Sequence, residues 1–97
     1  MTVFEVEASR GNQTALVRIN TGSNMAVLMD DGNSIVWTQP ELFIAGFQDV
    51  QFHELTRDMI RGADISPYAD RLYINFFHGG MHQTFTMQSG GKKSRTI

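Results

Sequence analysis

The chain has 97 residues, of which 41% are hydrophobic and 19% charged, a composition typical of one soluble globular domain and unlike that of a disordered chain. It contains no cysteine, which excludes disulfides and thiolate zinc sites. No apolar run approaches the roughly 20 residues that a membrane-spanning helix needs, and the start MTVFEVEASRG is unlike a signal peptide. We therefore expect a cytoplasmic protein that is not embedded in a membrane.

The net charge of −2 is unevenly distributed along the chain. Of the eight Lys and Arg residues, Lys92, Lys93 and Arg95 fall in the last eight positions, which leaves five basic residues against ten acidic ones in the body. An acidic body argues against broad binding to a phosphate backbone, which needs clustered cations. We expect one domain over residues 1–88, followed by a flexible basic tail over residues 89–97.

The first 38 residues predict a β-meander. Apolar and polar residues alternate in residues 3–7 and 14–20, and residues 24–30 are almost continuously apolar, as in a covered strand. Asp31 and Gly32 suit a two-residue type I′ turn. In that register Leu28 pairs with Ile35 and Ala26 with Trp37 on the face expected to be the core side.

The middle of the chain predicts short helices. Thr38-Gln39-Pro40-Glu41 has the pattern of a capping box with proline in the first turn, which favours a helix from residue 40 to about 45, ended by Gly46. Residues 49–55 alternate like a strand, and residues 56–61 resemble a short helix or turn that Gly62 ends. A single helix over residues 50–61 is the alternative.

The sequence as a whole therefore predicts an α+β fold. Five or six antiparallel strands, from the N-terminal meander and a C-terminal hairpin, would form a sheet with one or two short helices from residues 40–61 on one face. A small half-open β-barrel is the alternative, because consecutive short hairpins can curl closed.

The C-terminal hairpin is predicted from the stretch FFHGGMH, in which Gly79-Gly80 suits a two-residue turn between residues 72–77 and 82–87. This register places His78 and His82 on opposite faces, so they cannot share a metal ion. A zinc site also needs a third ligand, and His53 is the remaining histidine. We expect no metal and no cofactor.

The outer face of this hairpin is the predicted contact surface. Tyr73, Phe77 and His82 form an aromatic group there, and exposed aromatic groups are typical of interfaces. The alternative is that a helix from residues 40–61 covers this face. Arg57 and Arg61, one turn apart on the predicted helix, could contribute to binding an acidic partner.

No catalytic motif is present, so we expect a non-enzymatic module that binds a protein partner. Small single-domain inhibitors from phages or mobile elements, which block a host complex as anti-CRISPR proteins do, belong to this class, and so does a homodimer through a sheet edge or the aromatic face. An enzyme with His53 or His82 as general base is the alternative. A nucleic-acid module is third.

Overall fold

The computed structural model describes residues 2–29, 35–43 and 50–89. These residues form a closed barrel of seven strands in the order β1-β2-β3-β4-β7-β6-β5. The strands are β1 (Val3–Arg10), β2 (Gln13–Asn20), β3 (Met25–Leu28), β4 (Val36–Phe43), β5 (Ile60–Ile65), β6 (Arg71–His78) and β7 (Met81–Ser89). The predicted α+β class is wrong: the described residues contain no helix of seven or more residues. The alternative prediction, a half-open β-barrel, is closer to the structure, but the observed barrel is closed.

The N-terminal meander is confirmed. β1 and β2 pair antiparallel without interruption, from Val3 opposite Asn20 to Arg10 opposite Gln13. Ala26 lies opposite Trp37, and the amide of Leu28 donates to the carbonyl of Ile35 over 2.9 Å, as the predicted register requires. The Asp31-Gly32 turn itself lies outside the described residues.

The predicted helix from residue 40 to about 45 is wrong over residues 40–43, because these residues continue strand β4. The ladder between β4 and β7 shifts register between Thr38 and Glu41, so Gln39 and Pro40 form a β-bulge. Proline is tolerated at a bulge because no ladder hydrogen bond needs its missing N–H. The remainder of that predicted helix, with Gly46, lies outside the described residues.

The predicted strand over residues 49–55 and the alternative long helix over residues 50–61 are both wrong. Two 3₁₀ turns, Phe52–Glu54 and Arg57–Met59, lead directly into β5. Val50, Phe52 and Leu55 are buried and pack into the core, so this segment fills the barrel interior instead of lying on a sheet face as a helix.

Aromatic packing links the 3₁₀ segment to the C-terminal hairpin. The ring of Phe85 on β7 stacks on Phe76 of β6 at 5.3 Å and meets Phe52 edge-on at 5.1 Å. Trp37, Phe76, Ile74, Leu72 and Met87 are completely inaccessible to solvent. The inward-facing residues of all the strands thus form a single core, as in other small barrels whose interior is filled by side chains.

Closure joins the first strand to the fifth. β1 and β5 run parallel, and their ladder consists of the single pair Ser9–Asp64. Both strands therefore have most of their hydrogen bonding on their other side, with β2 and β6. Ser89 ends β7, so the predicted basic tail, apart from Ser89, lies outside the described residues. In the part of the chain that the structure describes, no helix has the length and apolar character required to cross a bilayer.

Candidate functional site

The register of the C-terminal hairpin is confirmed. Phe77 lies opposite His82 and His78 opposite Met81, and both turn glycines have positive φ, 64° at Gly79 and 78° at Gly80, as a type I′ turn requires. Since neighbouring residues of a strand point to opposite faces, this register directs Phe77 and His82 outward and away from the interior that holds Phe76.

Phe77 is the centre of a small group of interacting side chains, which we call the Phe77 cluster: Arg61, Phe77 and His82. The Phe77 and His82 rings meet edge-on with centroids 4.9 Å apart, and the Arg61 guanidinium lies 6.0 Å above the Phe77 ring. Arg61 is held there by donating hydrogen bonds to the carbonyls of Asp58 at 2.9 Å and Ile60 at 3.2 Å. These two hydrogen bonds orient Arg61 toward the Phe77 ring.

A row of polar side chains crosses the three strands beside this cluster. Asn75 on β6 donates its amide to the carboxylate of Asp64 on β5 over 3.1 Å, and Thr84 on β7 donates its hydroxyl to Asn75 over 2.9 Å. Tyr73 is the next outward residue along β6 and lies opposite Asp64 and Thr86. We call the Phe77 cluster together with Asp64, Tyr73, Asn75 and Thr84 the outer face.

The structure brings four of the five predicted contact residues onto this outer face and places the fifth elsewhere. Tyr73, Phe77, His82 and Arg61 belong to it, with Tyr73 and Phe77 half-buried and His82 exposed. Arg57 instead donates from Nε to the carbonyl of Glu5 on β1, over 3.1 Å. The two arginines separate because Arg57 lies in a 3₁₀ turn and Arg61 in β5, so the helical spacing assumed for them does not exist.

No helix from the described part of residues 40–61 covers the outer face. That part of the chain forms the end of β4, the two 3₁₀ turns and the start of β5. The pairing of Asn75 with Thr84 follows from the predicted hairpin register and is confirmed. Asp64 is not predicted on this face, because the sequence pattern does not indicate that residues 60–65 form a strand beside β6.

A cleft of about 480 Å³ opens beside the bulge of β4. The residues that line it are Asn24, Gln39, Pro40, Leu42, Val50, Gln51, Phe52, His53 and Phe85. Neutral amides and one imidazole are its polar groups, and no carboxylate, hydroxyl or thiol side chain occurs among the lining residues described. The cleft can offer hydrogen bonds to an uncharged group, and its charged or nucleophilic chemistry is limited among the described lining residues to the imidazole of His53.

Clusters of metal ligands are not found in the described residues: no three His, Asp or Glu side chains lie close enough together to hold an ion. His78 and His82 occupy opposite faces of the hairpin, as their register requires. His53 lies on the 3₁₀ turn at the cleft.

The comparisons with known proteins place no further constraint on function. The chain matches no protein-family model, no curated protein and no solved structure. Inferences about function therefore depend on the geometry of the outer face and of the cleft.

Proposed function

We propose that the protein is a non-enzymatic module that binds a protein partner through the outer face of β5, β6 and β7. The observation that carries the proposal is the Phe77 cluster, in which Arg61 and His82 hold a half-exposed phenylalanine ring in place. Arginine and aromatic residues are enriched among the residues that dominate binding energy in protein interfaces.

Rigidity of the face supports this function. Arg61 has two backbone acceptors, and Asn75 is bonded on both sides, to Asp64 and to Thr84. Side chains that are already ordered lose less conformational entropy when a partner binds, so more of the contact energy appears as affinity. β6 alone spans eight residues, or about 26 Å, which is close to the width of a standard interface patch of about 800 Å².

The kind of partner follows from the charge and topology. A body with five basic and ten acidic residues is a poor match for nucleic acid, which favours a protein surface. Inhibition of a host complex, of the kind that phage or mobile-element proteins perform, is one form of the proposal. A homodimer through the outer face is the other form of the proposal. We propose that the protein binds its partner in the cytoplasm, because cytoplasmic proteins are stable without disulfides and this chain has no cysteine.

A second candidate function, an enzyme that uses a histidine as general base, has one observation in its favour. His53 lies in a concave cleft together with the amide side chains of Asn24, Gln39 and Gln51. The cleft lies beside β4 and the 3₁₀ segment, whereas the contact residues of the main proposal lie on β5, β6 and β7. Substitutions can therefore separate the two functions.

The test is affinity capture from the native host, followed by binding measurements with the purified captured protein. We expect Phe77→Ala to weaken binding by about 30-fold or more, which corresponds to a loss of about 2 kcal/mol. The same substitution should lower the free energy of unfolding by no more than about 1–2 kcal/mol, because the ring is only half-buried. Tyr73→Ala should behave similarly.

Two controls complete this experiment. Met29→Ala removes an exposed apolar side chain at the end of β3, and His53→Ala changes the cleft; both should bind the partner like the wild type. If His53→Ala abolished capture while Phe77→Ala did not, the contact surface would be the cleft. If Phe77→Ala unfolded the protein, the outer face would be part of the core and the proposal would be wrong.

A further inference from the structure

The connection between β5 and β6, residues 66–70, presents the most exposed large apolar side chain of the described residues. Tyr68 is 90% exposed, against 40% for Val3 and 36% for Met29. Isolated exposed apolar residues are common on protein surfaces and need no explanation by themselves. What distinguishes Tyr68 is the way in which its turn is held.

Hydrogen bonds within the turn fix its shape. The Ser66 amide donates to the Arg71 carbonyl at 3.1 Å, and the Ala69 amide donates to the Ser66 carbonyl at 2.8 Å. The Ser66 hydroxyl donates to the Asp70 carboxylate at 2.6 Å and accepts from the Arg71 amide at 2.9 Å. Both flanks of Tyr68 are therefore tied together.

Two further bonds attach the turn to the rest of the barrel. The indole N–H of Trp37, a completely buried residue, donates to the Ala69 carbonyl over 3.0 Å. The Ser89 amide on β7 donates to the Asp70 carbonyl over 2.8 Å. Ala69 itself has φ +60°, a left-handed conformation that alanine disfavours, yet its methyl group is buried. Such a conformation persists only where its surroundings impose it.

We propose that Tyr68 is an anchor residue of the protein interface, and that it inserts into an apolar pocket of the partner whose rim carries positive charge opposite Asp70. The inference rests on the proposed function, because it names a second part of the same contact surface. A tyrosine on a rigid turn supplies a large contact area with little entropy to lose, and tyrosine is among the residues most enriched at binding hot spots.

Position and charge identify this kind of partner. Tyr68 and the outer face belong to the same β5–β6 hairpin, and the six residue steps along β6 from Arg71 to Phe77 span about 20 Å, a distance that one standard interface patch of about 800 Å² covers. Asp70 is an exposed carboxylate two residues from Tyr68, so a cationic rim around the pocket would complement it.

The experiment measures the affinity of turn variants for the protein that the wild type captures. We expect Tyr68→Ala to weaken binding by about 30-fold or more and Tyr68→Phe, which keeps the ring, by less than about 5-fold. Asp70→Asn should weaken binding by several-fold and reduce its dependence on salt concentration, because it removes one charge from the interface. Val3→Ala, at another exposed apolar residue, is the matched control and should bind like the wild type.

A photo-crosslinker locates the pocket directly. With p-benzoylphenylalanine in place of Tyr68, crosslinks to apolar residues of the partner support the inference, and a wild-type level of binding by Tyr68→Ala overturns it. If Phe77→Ala loses binding and Tyr68→Ala does not, the proposed function is supported and the role of Tyr68 as an anchor is contradicted. If only Tyr68→Ala loses binding, Tyr68 is an anchor and the outer face is not the contact surface. If no partner protein is captured or crosslinked, both proposals are wrong.

Discussion

At the scale of single residues, Asp70 is the group whose ionisation should be visible in stability. The hydrogen bond from the Ser66 hydroxyl, with a smaller contribution from the charge of Arg71, lowers the pKa of the Asp70 carboxyl below its ordinary value of 3.8. A carboxyl whose pKa is lower in the folded protein stabilises the fold above the unfolded pKa, and this stabilisation is lost as the pH falls through the folded pKa.

We therefore predict a pH-dependent difference between the wild type and Asp70→Asn. From pH 7 down to about pH 4, the difference between their free energies of unfolding should stay constant. Below that, the wild type should lose stability relative to the variant, since the wild-type carboxyl takes up a proton more readily when unfolded. Urea unfolding at a series of pH values measures this. Ser66→Ala, which removes the hydrogen-bond donor, should also lose less stability than the wild type at low pH. If the difference in free energy of unfolding between the wild type and Asp70→Asn stayed unchanged down to pH 2, the lowered pKa of Asp70 would be contradicted.

The hairpin residues of the outer face, Tyr73, Phe77 and His82, could be predicted from the sequence because their placement is local. A two-residue glycine turn sets the register of Phe77 against His82, and alternation then places Tyr73 on the same side. Tyr68 could not be found in this way. Ser66 and Pro67 indicate a turn, but the exposure of the next side chain depends on Trp37 and Ser89, which hold the turn from other strands.

At the scale of secondary-structure elements, β4 shows why the sequence pattern in the middle of the chain is ambiguous. The pattern Thr38-Gln39-Pro40-Glu41 fits a helix start and fits a bulged strand equally well, because both accept proline where no N–H is needed. This segment forms a bulged strand and not a helix because β7 pairs with β4 on both sides of the bulge. That partner is more than forty residues distant, and no pattern within residues 38–46 contains it.

The bulge carries a backbone conformation that a glycine would relieve. Gln39 has φ +58°, and its side chain is exposed, so it gains no burial from this position. We predict that Gln39→Gly raises the free energy of unfolding by about 0.5–1 kcal/mol, because the cost of the left-handed conformation exceeds the entropy that glycine adds to the unfolded chain. Chemical denaturation measures the change.

Thr38→Gly is the matched control for this substitution, since Thr38 precedes Gln39 in the same strand and lies in regular register opposite Gln88. Glycine there should lower the free energy of unfolding by about 1 kcal/mol, because glycine weakens a strand interior. Equal destabilisation by both variants would show that the bulge carries no strain that glycine relieves.

At the scale of the whole molecule, closure into a barrel is the property that the sequence reveals least. Each meander strand pairs with its neighbour along the chain, and alternation within those strands is enough to predict the pairing. Closure instead depends on β4 meeting β7 and on β1 meeting β5, two contacts between distant segments. The buried residues Val50, Phe52 and Leu55 occupy the interior that such a barrel needs filled. In the sequence, residues 49–55 resemble a strand, and Phe52 and Leu55 also fit one face of a helix.

The parallel contact between β1 and β5 should be the weakest part of the barrel wall. One ladder pair, Ser9–Asp64, joins the two strands, and the guanidinium of Arg57 binds the carbonyl of Glu5 further along the same side of β1. Parallel pairing with so few ladder bonds leaves the neighbouring amides dependent on such side-chain contacts. Arg57 therefore acts as a side-chain tie across the line of closure.

We predict that Arg57→Ala speeds amide hydrogen exchange in β1 and β5 by about 3- to 10-fold, because one exposed hydrogen bond contributes about 1 kcal/mol, and that it leaves β6 and β7 unchanged. Arg18→Ala is the control: Arg18 binds the carboxylate of Glu5 over 2.9 Å, but on the fully paired side of β1. Its loss should alter exchange little. Equal acceleration across all seven strands would mean that the barrel opens only as a whole, and that β1 and β5 do not separate first.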